Sequence, residues 1–367
     1  MAGRRTRVVC MTVLALGCLS VFGALLGEES PQVTPTFTEF DVPGAGASTG
    51  LGTEPLNVNS GGVIAGVYSD SAEVFHGFLR AADGTITTFD VPGAGAGALQ
   101  GTLSCFGLNG AGSVAGYYAD AGGVIHGFVR SSTGTVATFD APHAVNTYAF
   151  AINGSGAVTG YYTDGAGVNH GFVRNAHGGI ASFDAPGAAL TAGLGTLAVN
   201  LNAYGQITGA YYDASGNSHG FLRAASGAVT DLNVPAGDES FGVGINASGA
   251  VAGRAWVNGQ SYSGLLQSAN GTATVFTIKG AGTLVNQGVF GFGLNNSGVM
   301  TGYLVDSRGV YHAFQRAPSG AVSAFQAPGA GAGANQGTAA FAINSAASIT
   351  GYFIDSSNVL HGYLRTQ

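Results

Sequence analysis

The chain has 367 residues, of which 64 are glycine, and only 8% carry charge, far below the usual quarter. A hydrophobic share of 46%, with Val, Ile, Phe and Tyr at regular positions, excludes a disordered chain. Twelve basic against 19 acidic residues give a formal charge of −7, which excludes the basic face that nucleic-acid binding needs.

Residues 1–27 stand apart from the rest. Arg4, Arg5 and Arg7 precede an apolar run from Val8 to Gly27, and Glu28-Glu29 follows. A basic start, an apolar middle and small residues near the end predict an export signal, with Val21-Phe22-Gly23 as the best cleavage region. The run is also long enough to span a bilayer if uncleaved, the one route by which this chain would meet a membrane. The expected location is therefore extracellular or periplasmic, with an N-terminal anchor as the alternative. Cleavage leaves nine basic residues against 19 acidic ones, or −10, and Cys105 as the lone cysteine. Without an internal disulfide, stability must come from packing. Residues 28–35 read as a linker.

Residues 36–367 read as one repeat domain. An asparagine recurs as Asn59, Asn109, Asn153, Asn202, Asn246, Asn295 and Asn344, at spacings of 44, 49 or 50 residues. A glycine follows each one seven residues later, from Gly66 to Gly351. Each copy is too small to bury its own apolar face, so the copies must pack on one another. In the third copy, apolar segments run over Tyr148–Asn153, Ala157–Tyr162, Asn169–Arg174 and Ile180–Asp184. Turn signals separate them: Asn153-Gly154-Ser155-Gly156, Asp164-Gly165-Ala166-Gly167 and Asn175-Ala176-His177-Gly178. No segment shows a sustained helical period.

Four antiparallel strands per 44–50 residues is the unit of a β-propeller blade. The expected fold is all-β, a seven-bladed propeller of four-stranded antiparallel blades. The seventh copy stops at Arg365-Thr366-Gln367 without a fourth strand, and Thr36–Asp41 supplies a spare one. That strand is expected to complete the last blade, close the ring and cover its edges. The small residues after the anchor asparagine suit close backbone approach. Phe128, Phe172, Phe221 and Phe314 are expected to fill the wedge between diverging blades.

Six copies carry Asp, His and Arg in register. The sets are Asp70-His76-Arg80, Asp120-His126-Arg130, Asp164-His170-Arg174, Asp213-His219-Arg223, Asp306-His312-Arg316 and Asp355-His361-Arg365. An acid–base pair or a metal site is the chemical reading. Sixfold recurrence argues against both. Within a copy there are only two candidate ligands, where a catalytic zinc takes about three from protein. The set reads as structural: Asp caps the turn, and His and Arg satisfy groups between blades. The Asp of the F-D-x-P element (Asp41, Asp90, Asp140, Asp184) is expected to accept from the loop that follows. No catalytic residue, metal or cofactor is expected.

The strand Tyr311-His312-Ala313-Phe314, its H-G-F variants, the preceding G-Y-Y-x-D and the following T-F-D-x-P-G resemble the HAF repeat of predicted extracellular bacterial proteins. The resemblance covers roughly residues 36–367. It implies secretion and a repeat fold, and it carries no catalytic residues to transfer. The sorting tail that ends some relatives has no counterpart before Gln367.

A functional site should break the repeat. The fifth copy does: Ser263 replaces His, Gln267 replaces Arg and Val257 replaces the turn Asp. It carries the chain's single tryptophan, Trp256, with Arg254, Asn258, Gln260 and Tyr262 nearby and Asp238-Glu239 just upstream. Aromatic and polar groups together suit recognition of sugar or peptide; the bland account is drift in one copy. The candidate ligand face is Asp238, Glu239, Arg254, Trp256 and Tyr262. The connection after the proline is short in two copies, His143–Ala149 and Ala236–Gly244, and long in five. The long ones are expected to lie on the face of the Asp–His turns and to form a polar rim of Glu54, Gln100, Asn286-Gln287 and Asn335-Gln336. The leading expectation is a monomeric, non-enzymatic extracellular module that binds glycan or protein or serves as scaffold. The alternative is a secreted hydrolase or lyase acting on polysaccharide, which as a glycosidase needs two carboxylates in one cleft. Asp238 and Glu239 are the best pair, yet adjacent strand residues point to opposite sides.

Overall fold

The computed structural model describes residues 34–234, 239–257 and 259–367, with backbone alone over 104–106. The predicted export signal, Asp238 and Asn258 lie outside the described residues. Among the described residues the fold is all-β, with 28 strands. No helix among them is long and apolar enough to cross a membrane.

The third copy shows how local sequence makes each unit. Its strands are Ala144–Ile152, Val158–Asp164, Asn169–Arg174 and Ile180–Phe183, paired antiparallel in chain order. The first begins four residues before the expected Tyr148, because the short connection leads straight into it through His143 at φ 63°. Three Asx residues close the three turns. Asn153 Oδ1 accepts from the N–H groups of Ser155 and Ala157, Asp164 Oδ1 from Ala166 and Val168, and Asn175 Oδ1 from His177 and Gly179, all at 2.9–3.1 Å.

The anchor asparagine has a second task. Asn59 Nδ2 donates to the carbonyl of Asn109, and so on through Asn153, Asn202, Asn246, Asn295 and Asn344, whose Nδ2 donates back to Asn59. These seven buried bonds, 2.9–3.2 Å long, form one cycle. Asn153→Asp keeps the turn-capping oxygen, removes the donor and sets a carboxylate oxygen against the Asn202 carbonyl. We expect it to cost ~1–3 kcal/mol, the penalty of a buried acceptor left unpaired. A urea titration that superimposes on wild type would show the cycle to be without weight.

The invariant glycine marks a close approach. A Cβ on Gly116 would collide with the Leu103 carbonyl and lie 2.8 Å from the Phe128 ring. The bulged first strand and the aromatic ring of the third both need that space. Phe78, Phe128, Phe172, Phe221 and Phe314 are wholly buried. Each packs edge-on against the phenylalanine of the preceding fourth strand (Phe40, Phe89, Phe139, Phe183, Phe276), with centroids 6.0–6.4 Å apart. The wedge between units is therefore aromatic, as expected.

Hydrogen bonding gathers 20 strands into one sheet and eight into another. Where the inter-unit connection is long, a parallel bridge joins neighbouring units, for example Phe75 with Gly101 and Asn169 with Gly195. Where it is short, a side chain substitutes: Ile125 N–H donates to Asn146 Oδ1 at 3.0 Å, and Ser218 N–H to Glu239 Oε2 at 2.9 Å. The two breaks between the sheets fall at these two short connections. Strand Thr36–Phe40 pairs antiparallel with Leu360–Thr366, from Thr36 opposite Thr366 to Phe40 opposite Gly362.

The long loops do touch the Asp–His turns: Leu99 N–H donates to Glu73 and Asn335 N–H to Gly309. Their polar residues, however, do not make a rim. Gln100 Oε1 accepts from Gly97 and its Nε2 donates to Ala121; Gln336 does the same with Gly333 and Ser356, and buried Gln287 accepts from Leu284. These amides brace their own loops. Glu54 is not in a loop at all but in strand Gly52–Val58, opposite Val67. Solvent reaches part of it, yet protein crowds it on all sides, and burial pushes its carboxyl up to about 7.

Candidate functional site

The repeated Asp-His-Arg set builds the scaffold, in a different arrangement from the expected one. His76 Nδ1 lies 2.9 Å from Asp90 and its Nε2 3.6 Å from Asp70, all within one unit. His126 with Asp140 and Asp120, His170 with Asp184 and Asp164, and His361 with Asp41 and Asp355 repeat this. His219 and His312 pair with Asp213 and Asp306 at 3.0 and 2.9 Å. Histidine thus ties the turn to the fourth strand of its own unit and does not reach between units. The F-D aspartate accepts from histidine and not from the following loop. That loop's N–H goes instead to a buried threonine: Val91 to Thr102 and Ala185 to Thr196, both 2.9 Å. The arginine does bridge units, by lying over the preceding unit's phenylalanine. Arg80, Arg130, Arg174, Arg223, Arg316 and Arg365 sit 4.6–5.0 Å from those rings. Among the described residues no cluster of His, Cys, Asp and Glu is placed to hold a metal ion.

The turn aspartates set an acid limit. The backbone N–H of Val74, Val124 and Val168 holds Asp70, Asp120 and Asp164 below the ordinary carboxylate range, and His219 holds Asp213 well below it. A depressed carboxyl stabilises the fold above its unfolded pKa of about 3.9, and that contribution disappears as pH falls through the lower folded value. Taken alone, the turn aspartates should leave thermal melts unchanged near neutrality and lower them below about pH 4, while the raised Glu54 carboxyl adds stability as pH falls through about 7. Asp164→Asn, which keeps the accepting Oδ1, should soften the drop; an identical acid profile would discount the turn.

The candidate ligand face lies in the fifth unit. Its strands Glu239–Ile245, Val251–Val257 and Ser261–Gln267 place Glu239 opposite Trp256, Phe241 opposite Arg254, and Trp256 opposite Tyr262. The period of two along each strand puts Glu239, Phe241, Arg254, Trp256 and Tyr262 on one face. They line a cavity of about 180 Å³ with Ser240 and with Tyr212 and Ser218 of the fourth unit. Of the candidate residues, the structure thus unites Glu239, Arg254, Trp256 and Tyr262. Tyr212, Ser218 and Phe241 were not foreseen. The short connection after the fourth unit was the available signal, because at this boundary Ser218 bonds to the Glu239 side chain where a parallel bridge joins units with long connections.

The guanidinium of Arg254 lies 4.8 Å from the centroid of Phe241 and 5.6 Å from that of Tyr262. Trp256 meets Tyr262 edge-on at 4.6 Å. Glu239 Oε2 accepts from both the N–H and the hydroxyl of Ser218 at 2.9 Å. Among the described residues every ion pair joins histidine to aspartate, so Arg254 has none. Burial pushes the Tyr212 phenol up, so it stays protonated and can donate.

No family model matches the sequence, and no curated protein matches it. Solved structures do. The chain is similar to streptogramin B lyase at 13% identity and TM-score 0.58, over 92% of this chain and all of that one. It is similar to the β-propeller domain of the Trilobed protease from Pyrococcus furiosus at 7% identity and TM-score 0.55, over 85% and 94% of the two chains. Puromycin hydrolase gives 12% and 0.53 over 84% of this chain and half of that one. The fold is propeller-like. At these identities the likeness extends to the fold and carries no activity with it.

The fifth unit's losses also have a physical account. Leu232 stands where the preceding unit would offer a phenylalanine, so an arginine at position 267 would have no ring to cover. Gln267 Oε1 accepts instead from Asn233 N–H at 2.7 Å. Replacement of the scaffold contacts and gain of the Arg254 cavity occur at the same boundary.

Proposed function

We propose that this chain is an exported, non-enzymatic binding module built on a seven-bladed β-propeller, with residues 1–27 as its leader and Thr36–Phe40 completing the last blade. The seven-membered asparagine cycle and the pairing of Thr36–Phe40 with Leu360–Thr366 support the blade count and the closure. The HAF-repeat resemblance of residues 36–367 supports export. The observation that carries the binding reading is the fifth-unit cavity. It is where the repeat is broken, and it pairs an arginine that has no ion pair among the described residues with three aromatic rings.

The described lining contains a single carboxylate, Glu239, one oxygen of which is already committed to Ser218. Hydrolysis of a glycoside takes two carboxyl groups about 5–10 Å apart. Binding without turnover is the reading this chemistry favours. A glycan and peptide array, run beside a panel of polysaccharide hydrolysis and lyase assays, tests it. The expected result is retention of a defined ligand set, lost in Trp256→Ala, with no products released. Product release that depends on Glu239 would replace the binding reading with an enzymatic one.

A further inference from the structure

We propose that the fifth-unit cavity takes a carboxylate-bearing sugar ring, a hexuronic acid unit; this rests on the binding reading above. Three features lead there. The first is size. A cavity of about 180 Å³ is smaller than the ~300 Å³ at which drug-sized sites begin, and it suits one ring of a chain or a chain end.

The second is charge. Arg254 presents a planar fork of donors that matches a carboxylate bidentately. In the six repeated sets the arginine is covered by a neighbouring unit's phenylalanine and belongs to the wedge. Arg254 stands elsewhere in the unit, at the position held by tyrosine in the second, third, sixth and seventh copies. Two rings, Phe241 and Tyr262, lie 4.8 and 5.6 Å from the guanidinium, and among the described residues it has no ion pair. The Tyr212 phenol, kept protonated, adds a neutral donor on the opposite wall.

The third is the remaining wall. Trp256 offers an aromatic surface of the kind on which the C–H face of a pyranose packs. Glu239 holds one oxygen against Ser218 and keeps the other as an acceptor for ring hydroxyls. A carboxylate at one end, hydroxyls at the other and an apolar face between them describe a uronic acid. A sulfate ester can also accept from the fork, but it adds a tetrahedral group beyond the ring that a cavity of about 180 Å³ fits less well, and a neutral hexose leaves Arg254 unanswered.

The chain has one tryptophan, so its fluorescence reports on this cavity alone. We would titrate the protein with glucuronic acid, galacturonic acid, glucose, glucose 6-sulfate and the methyl ester of glucuronic acid, and then with a polyuronate. The expected result is a saturable change in Trp256 emission with a free uronic acid, at least tenfold weaker with glucose, with the sulfate and with the methyl ester. Arg254→Gln should abolish the preference, and Arg254→Lys, which keeps charge without the fork, should weaken it several-fold. Should Arg254→Gln fail to fold, the ester against the acid on wild type answers the same question. Equal response to acid and ester overturns the carboxylate assignment while leaving the binding reading standing. No response of Trp256 to any uronate, monomer or polymer, overturns it too, and the array result above then decides the binding reading separately.

Discussion

Phe128→Ala should lower stability by ~3–5 kcal/mol, the range for removing a fully buried phenylalanine from a core. The ring is wholly excluded from solvent and lies over Gly116, whose missing Cβ makes room for it. It meets Phe89 of the preceding unit edge-on at 6.2 Å, and Phe89 in turn lies under Arg130 at 4.9 Å. Ala65, Val91, Leu108, Val114 and Tyr118 complete the cluster. Neighbouring side chains cannot collapse into the space, because Gly116 has none to offer and the strand pairing fixes the backbone. Phe128→Leu should cost far less, under about 2 kcal/mol, because the cavity left is small. The fifth unit supports this ordering: Leu265 occupies the same position, fully buried, and packs with Leu232 where five other units pair two phenylalanines and the seventh pairs Tyr363 with Phe325. Guanidinium unfolding of the two variants checks both values. A Phe128→Ala chain within 1 kcal/mol of wild type would mean that the wedge does not hold the units together.

The repeat was legible because its causes are local. Asn153, Asp164 and Asn175 each cap a turn with their own side chain, so residue type and spacing suffice to place three hairpins. The aromatic positions followed from strand alternation. What escaped was anything requiring a partner on a distant strand, whether in the same unit or in the next. His76 could not be assigned to Asp90 from spacing, since they are 14 positions apart and meet only after two strands pair. Glu54 sits at the level where an inner strand begins, and the shift of register at Pro55 hides that boundary in the sequence. The candidate site divides along the same line. Arg254, Trp256 and Tyr262 were visible as departures from a template. Tyr212 and Ser218 look like ordinary members of the fourth copy, and only the packing of adjacent units makes them a wall of the cavity.

Removing the first strand should have the largest effect of all. A chain beginning at residue 42, compared with one beginning at residue 34, loses the antiparallel partner of Leu360–Thr366 along its whole length. It also loses contacts that no other segment can supply. Phe37 packs on Phe325 and Tyr363 at 5.9 and 6.0 Å, and Phe40 meets Phe78 at 6.2 Å while lying under Arg80 at 5.0 Å. Asp41 holds His361 at 2.9 Å, and Glu39 accepts from Gly329 N–H at 2.9 Å. Two half-buried aromatics, each worth less than the ~3–5 kcal/mol of a fully buried phenylalanine, together with a whole strand's pairing take a large share of the 5–15 kcal/mol by which domains are stable. The bare strand edge that remains is a template for association. The expected outcome is a chain that aggregates or melts without a cooperative transition. A synthetic peptide of residues 34–41 should restore the transition by adding a strand in trans, at peptide concentrations well above those of the protein. Rescue by the peptide would separate loss of this pairing from general damage. A truncated chain that melts cooperatively within a few degrees of the longer one would mean that the fold does not depend on its N-terminal strand, and the proposed ring closure would have to rest on the asparagine cycle alone.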